Sequence, residues 1–246
     1  MFTSLSRPAN VVVIGASGGI GSALVTRLAA DPSVGIVCAA SRSTPDNLPE
    51  SVVYHAIDTA DENSVLHAAT EIGESASLDL VIVATGILHD GDDVMPEKSM
   101  RDLSPESMAT VFATNCTGPA IVAKHFLPRM RKGAKSVFAA LSARVGSISD
   151  NRLGGWLSYR ASKAALNMAL KTLSIEHARR FPESIVVGLH PGTVATGLSR
   201  PFSSRVEPGK LFTPDQAAGH LIAVIDSLVV SDTGNTFAWD GNKVPY

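Results

Sequence analysis

Short apolar runs alternate along the chain with longer segments whose apolar residues recur every three or four positions. The runs are "NVVVIG" (Asn10–Gly15), "GIVCAAS" (Gly35–Ser41), "SVVYHAI" (Ser51–Ile57), "LDLVIVAT" (Leu78–Thr85), "KSVFAALS" (Lys135–Ser142) and "SIVVGLH" (Ser184–His190). "NTFAW" (Asn235–Trp239) is a weaker seventh. Several are nearly continuous in β-branched residues, as parallel strands covered on both faces require. Helical periodicity fills the intervals near Ile20–Ala30, Asp61–Glu74, Pro105–Arg131, Leu157–Arg180 and Pro214–Leu228. This alternation predicts right-handed crossovers and an α/β fold, a doubly wound parallel sheet of about seven strands with helices on both faces. At 246 residues, one domain is expected. Ligands in such a sheet bind where the carboxyl ends of the strands diverge.

Composition narrows the function. With 45% hydrophobic and 18% charged residues the chain can bury a large core, and disorder is excluded. A net charge of −2 gives no electrostatic footprint for nucleic acid or an anionic membrane. The two cysteines, Cys38 and Cys116, lie in apolar or small-residue surroundings and read as buried thiols, and no metal-ligand spacing occurs. No apolar run reaches the roughly 20 residues of a membrane helix. The first residues, "MFTSLSRPAN", lack a signal-peptide core, so a cytoplasmic setting is expected.

"IGASGGIGSAL" follows the first predicted strand and opens the first helix. Gly15 can make the tight turn, Gly19 allows close approach of a ligand, and Gly21 allows close helix packing. The helix start at Ile20 offers unpaired amides to a pyrophosphate, and Ser17 adds a hydroxyl. Gly15, Gly18 and Gly21 also fit GxxGxxG, but that spacing suits longer enzymes with a separate substrate domain, so GxxxGxG is adopted. At the end of the second strand, "AASRST" places Ser41 and Arg42 where a carboxylate would favour NAD. A guanidinium there suits a 2′-phosphate, so NADP(H) is expected over NAD(H). Asp58 ends the third strand, either as acceptor for an adenine amino group or as N-cap of the next helix.

Tyr159 and Lys163 stand one helical turn apart and share a face. An ordinary phenol is a poor acid–base catalyst at neutral pH, and an adjacent ammonium is expected to lower its pKa.

GxxxGxG, the YxxxK pair, "NCTG" (Asn115–Gly118) and "HPGTVATGL" (His190–Leu198) occur in the order of the short-chain dehydrogenase/reductase family. The chain resembles that family over essentially its whole length. The stretch "SISDNRLGGWLSYRASKAALNM" and the ending "GNTFAWDGNKVPY" are most similar to its C-factor and Sniffer-like carbonyl reductase branch. The resemblance implies that Tyr159 donates a proton to a carbonyl oxygen as hydride arrives, that Lys163 holds the ribose and depresses the Tyr159 pKa, and that Asn115 positions a relay water; a structural role for Asn115, as an amide satisfying a helix irregularity, stands beside that one. Thr85, Gly86, Pro191, Gly192, Thr193, Val194 and Thr196 are implied on the cofactor side. It further implies a lid over residues 197–212 and a homodimer or homotetramer. Leu166, Ala169, Leu170 and Leu173 serve either that interface or the core. Leu153, Trp156, Leu198 and Phe202 are candidates either for the substrate wall or for ordinary core and lid packing.

The chain departs from the family pattern in three places, one of them Ile14, where a threonine often precedes the first glycine. In the expected Ser-Ser-x-x-Gly run, the position three before Gly146 is Ala143, not serine. Three arrangements remain open: Ser142 stands in, Ser147 reaches in from the loop, or no serine polarises the carbonyl. After the fourth strand, "VATG" replaces the usual Asn-Asn-Ala-Gly. The leading functional reading is an NADPH-dependent carbonyl reductase acting on a small or medium carbonyl compound. The alternative is an NADP(H)-binding signalling or regulatory protein with little turnover.

Overall fold

In a computed structural model, which describes residues 2–91, 93–205 and 209–246, seven strands form one parallel sheet in the order β3-β2-β1-β4-β5-β6-β9. They are β1 (Ala9–Ile14), β2 (Val34–Ser41), β3 (Val52–Ala56), β4 (Leu80–Val83), β5 (Ser136–Leu141), β6 (Ser184–His190) and β9 (Thr236–Ala238). All seven predicted runs are therefore strands, the weakest included. Two further short strands, β7 (Thr193–Val194) and β8 (Leu211–Phe212), pair with each other outside the main sheet. The chain moves from β1 outward to β3 and then returns to the far side of β1 as β4. That reversal opens the crevice in which ligands of such sheets bind.

The helices are α1 (Gly19–Ala29), α2 (Glu62–Ser75), α3 (Pro105–Phe112), α4 (Gly118–Phe126), α5 (Leu157–Ala178) and α6 (Pro214–Ser227). Leu24, Leu28, Leu221 and Ile225 of α1 and α6 close one face of the sheet over Val11, Val13 and Ile82. On the other face, Val65, Phe126, Leu166 and Leu170 of α2, α4 and α5 pack on Val12, Val81 and Phe138. Leu166 and Leu170 thus belong to the core. Local signals start the helices where expected: Asp61 caps α2, Ser104 caps α3 with Pro105 behind it, and Thr213 with Gln216 forms a capping box on α6. Asp58 is not the α2 cap; its side chain accepts from Ala60 N in a local turn (2.9 Å).

The single helix expected over Pro105–Arg131 is interrupted. A wide turn, Ala113–Thr117, separates α3 from α4, with Gly118 N–H reaching back to Ala113 O. Pro119 has no N–H to offer the carbonyl of Asn115 and so cannot extend a regular helix through this point. Turns of this kind are rare and concentrate at functional sites.

At the amino-terminal edge of the sheet, Asp79 is fully buried. Its carboxylate accepts from Asn10 N (2.9 Å) and from both Nε (2.5 Å) and Nη2 (3.0 Å) of Arg131. Among the described residues, no helix is long and apolar enough to cross a membrane.

Candidate active site

At the carboxyl edge of the sheet lies a cavity of about 630 Å³. Its wall includes Ser17, Gly19 and Ile20 of the glycine turn, Thr85 and Gly86 after β4, Ser142 and Ala143 after β5, Tyr159 and Lys163 of α5, and the stretch from His190 to Val194 after β6. Most of the site residues expected from sequence therefore meet in one place. Gly15, Gly21 and Asn115 lie just behind this lining, and Ser41, Arg42 and Asp58 lie outside it at the ends of β2 and β3.

The glycine turn is shaped for a phosphate. Gly15 has φ +89°, and a Cβ there would lie 2.9 Å from Ala84 C and Thr85 N. A Cβ on Gly19 would meet Thr196 Cγ2 at 2.8 Å, and one on Gly21 would meet Gly15 O at 2.1 Å. Backbone therefore excludes a side chain at Gly15 and Gly21, and one at Gly19 would have to displace Thr196. No side chain caps the start of α1, and no acidic residue occupies its first turn, so its amides are available to an anion. The buried Thr85 Oγ1 has no hydrogen-bond partner among the described residues and borders the same cavity. These features fit a dinucleotide, with Arg42 exposed at the end of β2. Ser41 uses its hydroxyl on Ser43 O (2.7 Å), which shapes that loop.

Around the tyrosine, Lys163 is almost completely buried and its Nζ donates to Leu141 O (2.7 Å). A Cβ on Gly86 would lie 3.3 Å from Asn115 Oδ1 and 3.5 Å from Lys163 Nζ, so the two polar ends converge on Gly86. Gly146 presses on the α5 backbone, where a Cβ would come within 2.9 Å of Lys163 C. The Asn115 amide clasps the loop after β4: Oδ1 accepts from Ile87 N and Nδ2 donates to Ile87 O, both at 2.8 Å, with Ser162 Oγ at 3.2 Å. The wide turn puts this side chain in reach of Ile87 and gives it a bracing role.

The expected lowering of the Tyr159 pKa is not found. Burial pushes the phenol up to about 12 and the Lys163 ammonium down to about 8. Lys163 Nζ lies 5.9 Å from the centre of the tyrosine ring and is engaged with a carbonyl. Desolvation therefore outweighs the attraction between ammonium and phenolate. Burial thus leaves Tyr159 protonated at neutral pH.

Neither serine offers its hydroxyl proton to the cavity. Ser142 Oγ donates to Asn167 Oδ1 (2.7 Å), which also accepts from Thr236 Oγ1 (3.1 Å). Ser147 Oγ donates to Tyr246 O (3.2 Å) and is not part of the cavity wall. His190 does belong to the wall, and burial, with Arg144 adding, pushes its imidazole down to about 4 against the opposing effect of Asp240.

Trp156, Leu198 and Phe202 line the outer part of the cavity. The Phe202 ring packs edge-on to Trp156 at 5.2 Å and to His89 at 6.0 Å, and Trp156 leans on Tyr159 at 6.4 Å. Leu153, expected in this wall, is instead 92% exposed. Of the lid expected at 197–212, residues 206–208 lie outside the described residues; Arg200–Arg205 form a short helical turn. Trp156 adopts the left-handed conformation (φ 52°), sparsely populated for a bulky residue. Its N–H donates to Glu97 O (2.7 Å). The buried Glu97 carboxylate accepts from Ser158 N (3.2 and 3.3 Å) and from Ser158 Oγ. Glu97 therefore fixes the start of α5 directly before Tyr159. Sequence reading missed it because its partners lie sixty residues downstream and no motif marks it. His190 stood inside a quoted motif, and its place at a strand end was the available signal.

The class follows from this edge of the sheet. A sequence profile described as short chain dehydrogenase matches residues 9–207, and the chain belongs to that family of oxidoreductases. The C-signal of Myxococcus xanthus is 37% identical over 149 residues, covering 60% of this chain and 84% of that protein. A 1-hydroxy-2-glutathionyl-2-methyl-3-butene dehydrogenase of Rhodococcus sp. (strain AD45) is 32% identical over 235 residues, 94% of this chain and 96% of that one. In three dimensions, the NADPH-bound carbonyl reductase from chicken fatty liver matches with a TM-score of 0.83 at 26% identity, over 100% of this chain and 96% of the other. The carbonyl reductase Sniffer of D. melanogaster shares the fold, with a TM-score of 0.82 at 21% identity over 98% and 100% of the two chains.

Proposed function

We propose that the chain is an NADPH-dependent carbonyl reductase for small or medium, largely apolar carbonyl compounds, with Tyr159 as proton donor. One observation carries the reading: Tyr159, Lys163 and the Asn115-braced loop meet beside a glycine-rich turn in one cavity. The chicken relative's NADPH, the Rhodococcus relative's dehydrogenase activity and the position of Arg42 support it, since reductase and dehydrogenase are two directions of one exchange. Bound NADPH supplies the hydride. The glycine turn and α1 amides hold a pyrophosphate, and Arg42 pairs with a 2′-phosphate. Tyr159 gives its phenolic proton to the carbonyl oxygen as negative charge grows there, and the Lys163 ammonium stabilises the resulting phenolate. Trp156 and Phe202 exclude water from the outer cavity.

The test is oxidation of NADPH and NADH against a panel of aldehydes, ketones and diketones, wild type beside Tyr159→Phe. Turnover with NADPH that falls at least about 10²-fold in the variant is expected. A second reading, a cofactor-binding signalling protein with little turnover, is favoured by Ala143 and by the M. xanthus relative's name. NADPH binding without turnover in either protein would select it.

A further inference from the structure

Resting on the reductase reading, a gap remains at the carbonyl oxygen. Ala143 has no hydroxyl, Ser142 gives its proton to Asn167, and Ser147 faces the Tyr246 backbone. A carbonyl held by Tyr159 alone would lack a second donor, and one such donor is worth about 10²–10³ in rate.

His190 is the last residue of β6. The β5–β6 register runs through Leu141 opposite Leu189, and Ser142 N donates to Leu189 O (2.8 Å). His190 therefore sits beside Ser142 and Ala143 on the neighbouring strand end, and it lines the cavity with Ala143, Trp156 and Tyr159. Its Nδ1 is buried without a hydrogen-bond partner among the described residues. A neutral imidazole carries one N–H and one bare acceptor. An orphaned buried N–H is the rarer and costlier of the two, so the bare nitrogen is the buried Nδ1 and the proton rides on Nε2.

We propose that His190, through Nε2–H, donates a hydrogen bond to the substrate's carbonyl oxygen, in the role that Ala143 leaves vacant. Two donors then address one oxygen. Tyr159 would transfer its proton to that oxygen as negative charge grows there, while His190 keeps its own proton throughout. A neutral donor suits the task, because it stabilises a growing alkoxide without placing a buried charge beside the Lys163 ammonium. Arg144, which borders the same cavity and pairs with Asp150 (2.7 Å), already adds positive charge on this side. The substrate class is thereby sharpened to compounds whose carbonyl oxygen is unhindered on both lone pairs, aldehydes and methyl ketones ahead of bulky diaryl ketones.

The experiment compares wild type, His190→Ala, His190→Gln and the double variant His190→Ala with Ala143→Ser. Steady-state rates with an aldehyde and a methyl ketone are read beside NADPH affinity by fluorescence titration. His190→Ala is expected to lose about 10²-fold or more in kcat/KM, mostly in kcat, with NADPH affinity kept. His190→Gln, which retains an N–H donor, keeps more activity, and Ala143→Ser restores at least about tenfold to the alanine variant. A nitrogen-15 correlation spectrum of the wild type, independent of turnover, is expected to show the Nε2–H tautomer. An Nδ1–H tautomer overturns the proposal, as does wild-type kcat/KM in His190→Ala. So does a loss that neither His190→Gln nor Ala143→Ser relieves, since that marks a packing role. Should wild type bind NADPH yet reduce nothing, the reductase reading falls and takes this assignment with it; an active wild type beside an equally active His190→Ala rejects His190 alone.

Discussion

Lys163 is the residue on which the pH response turns. Its ammonium is held at about 8 by burial, and the Tyr159 phenol at about 12. Both groups are therefore protonated at neutral pH, the pair of states that the proposed reduction requires. As pH rises through about 8, Lys163 loses its charge while Tyr159 keeps its proton, and the support for a developing phenolate disappears. We expect kcat/KM for carbonyl reduction to fall with a single ionisation near that value, measured in a pH profile from neutral upward. A flat profile through that region would show that the lysine's charge is not used. The sequence located the pair by its spacing together with its place in the order of motifs. It did not reveal the direction of the tyrosine shift, because spacing records neighbours and says nothing of how much water each one keeps.

At the scale of elements, the helix that carries Tyr159 and Lys163 is set by what happens before it begins. Glu97, far upstream, ties Ser158 and Trp156 in place and so fixes where Tyr159 emerges. Replacing Glu97 by alanine leaves the buried Ser158 amide without its acceptor, a loss of about 1–3 kcal/mol. Glu97→Ala should lower the melting temperature and reduce kcat more than NADPH affinity, with Glu97→Gln intermediate; thermal unfolding and steady-state rates check this. Strand and helix positions were legible because hydrophobic period is a local property of the chain. The break at Ala113–Thr117 was not, since helical period continues through it and only Pro119 marks it. The brace from Asn115 to Ile87 was equally hidden, as it joins two elements through a loop.

Across the whole molecule, chemistry and cohesion occupy opposite rims of the sheet. The carboxyl rim carries the cavity, while the amino rim carries Asp79, bound by Asn10 and Arg131. Removing that carboxylate with Asp79→Ala strands a partly buried guanidinium and an amide, for an expected cost of about 2–4 kcal/mol. Denaturant unfolding should register the loss, while kcat/KM measured well below the melting temperature stays near the wild-type value. The order β3-β2-β1-β4-β5-β6-β9 makes this division possible, and strand alternation in the sequence already implied it. It did not disclose the Asp79 cluster, whose members lie far apart along the chain. One consequence concerns descent more than mechanism. A lineage with the Asp79–Arg131 clasp intact holds a reserve of stability far from its chemistry, so drift in Trp156, Leu198 or Phe202 can change what is recognised without first undoing the fold.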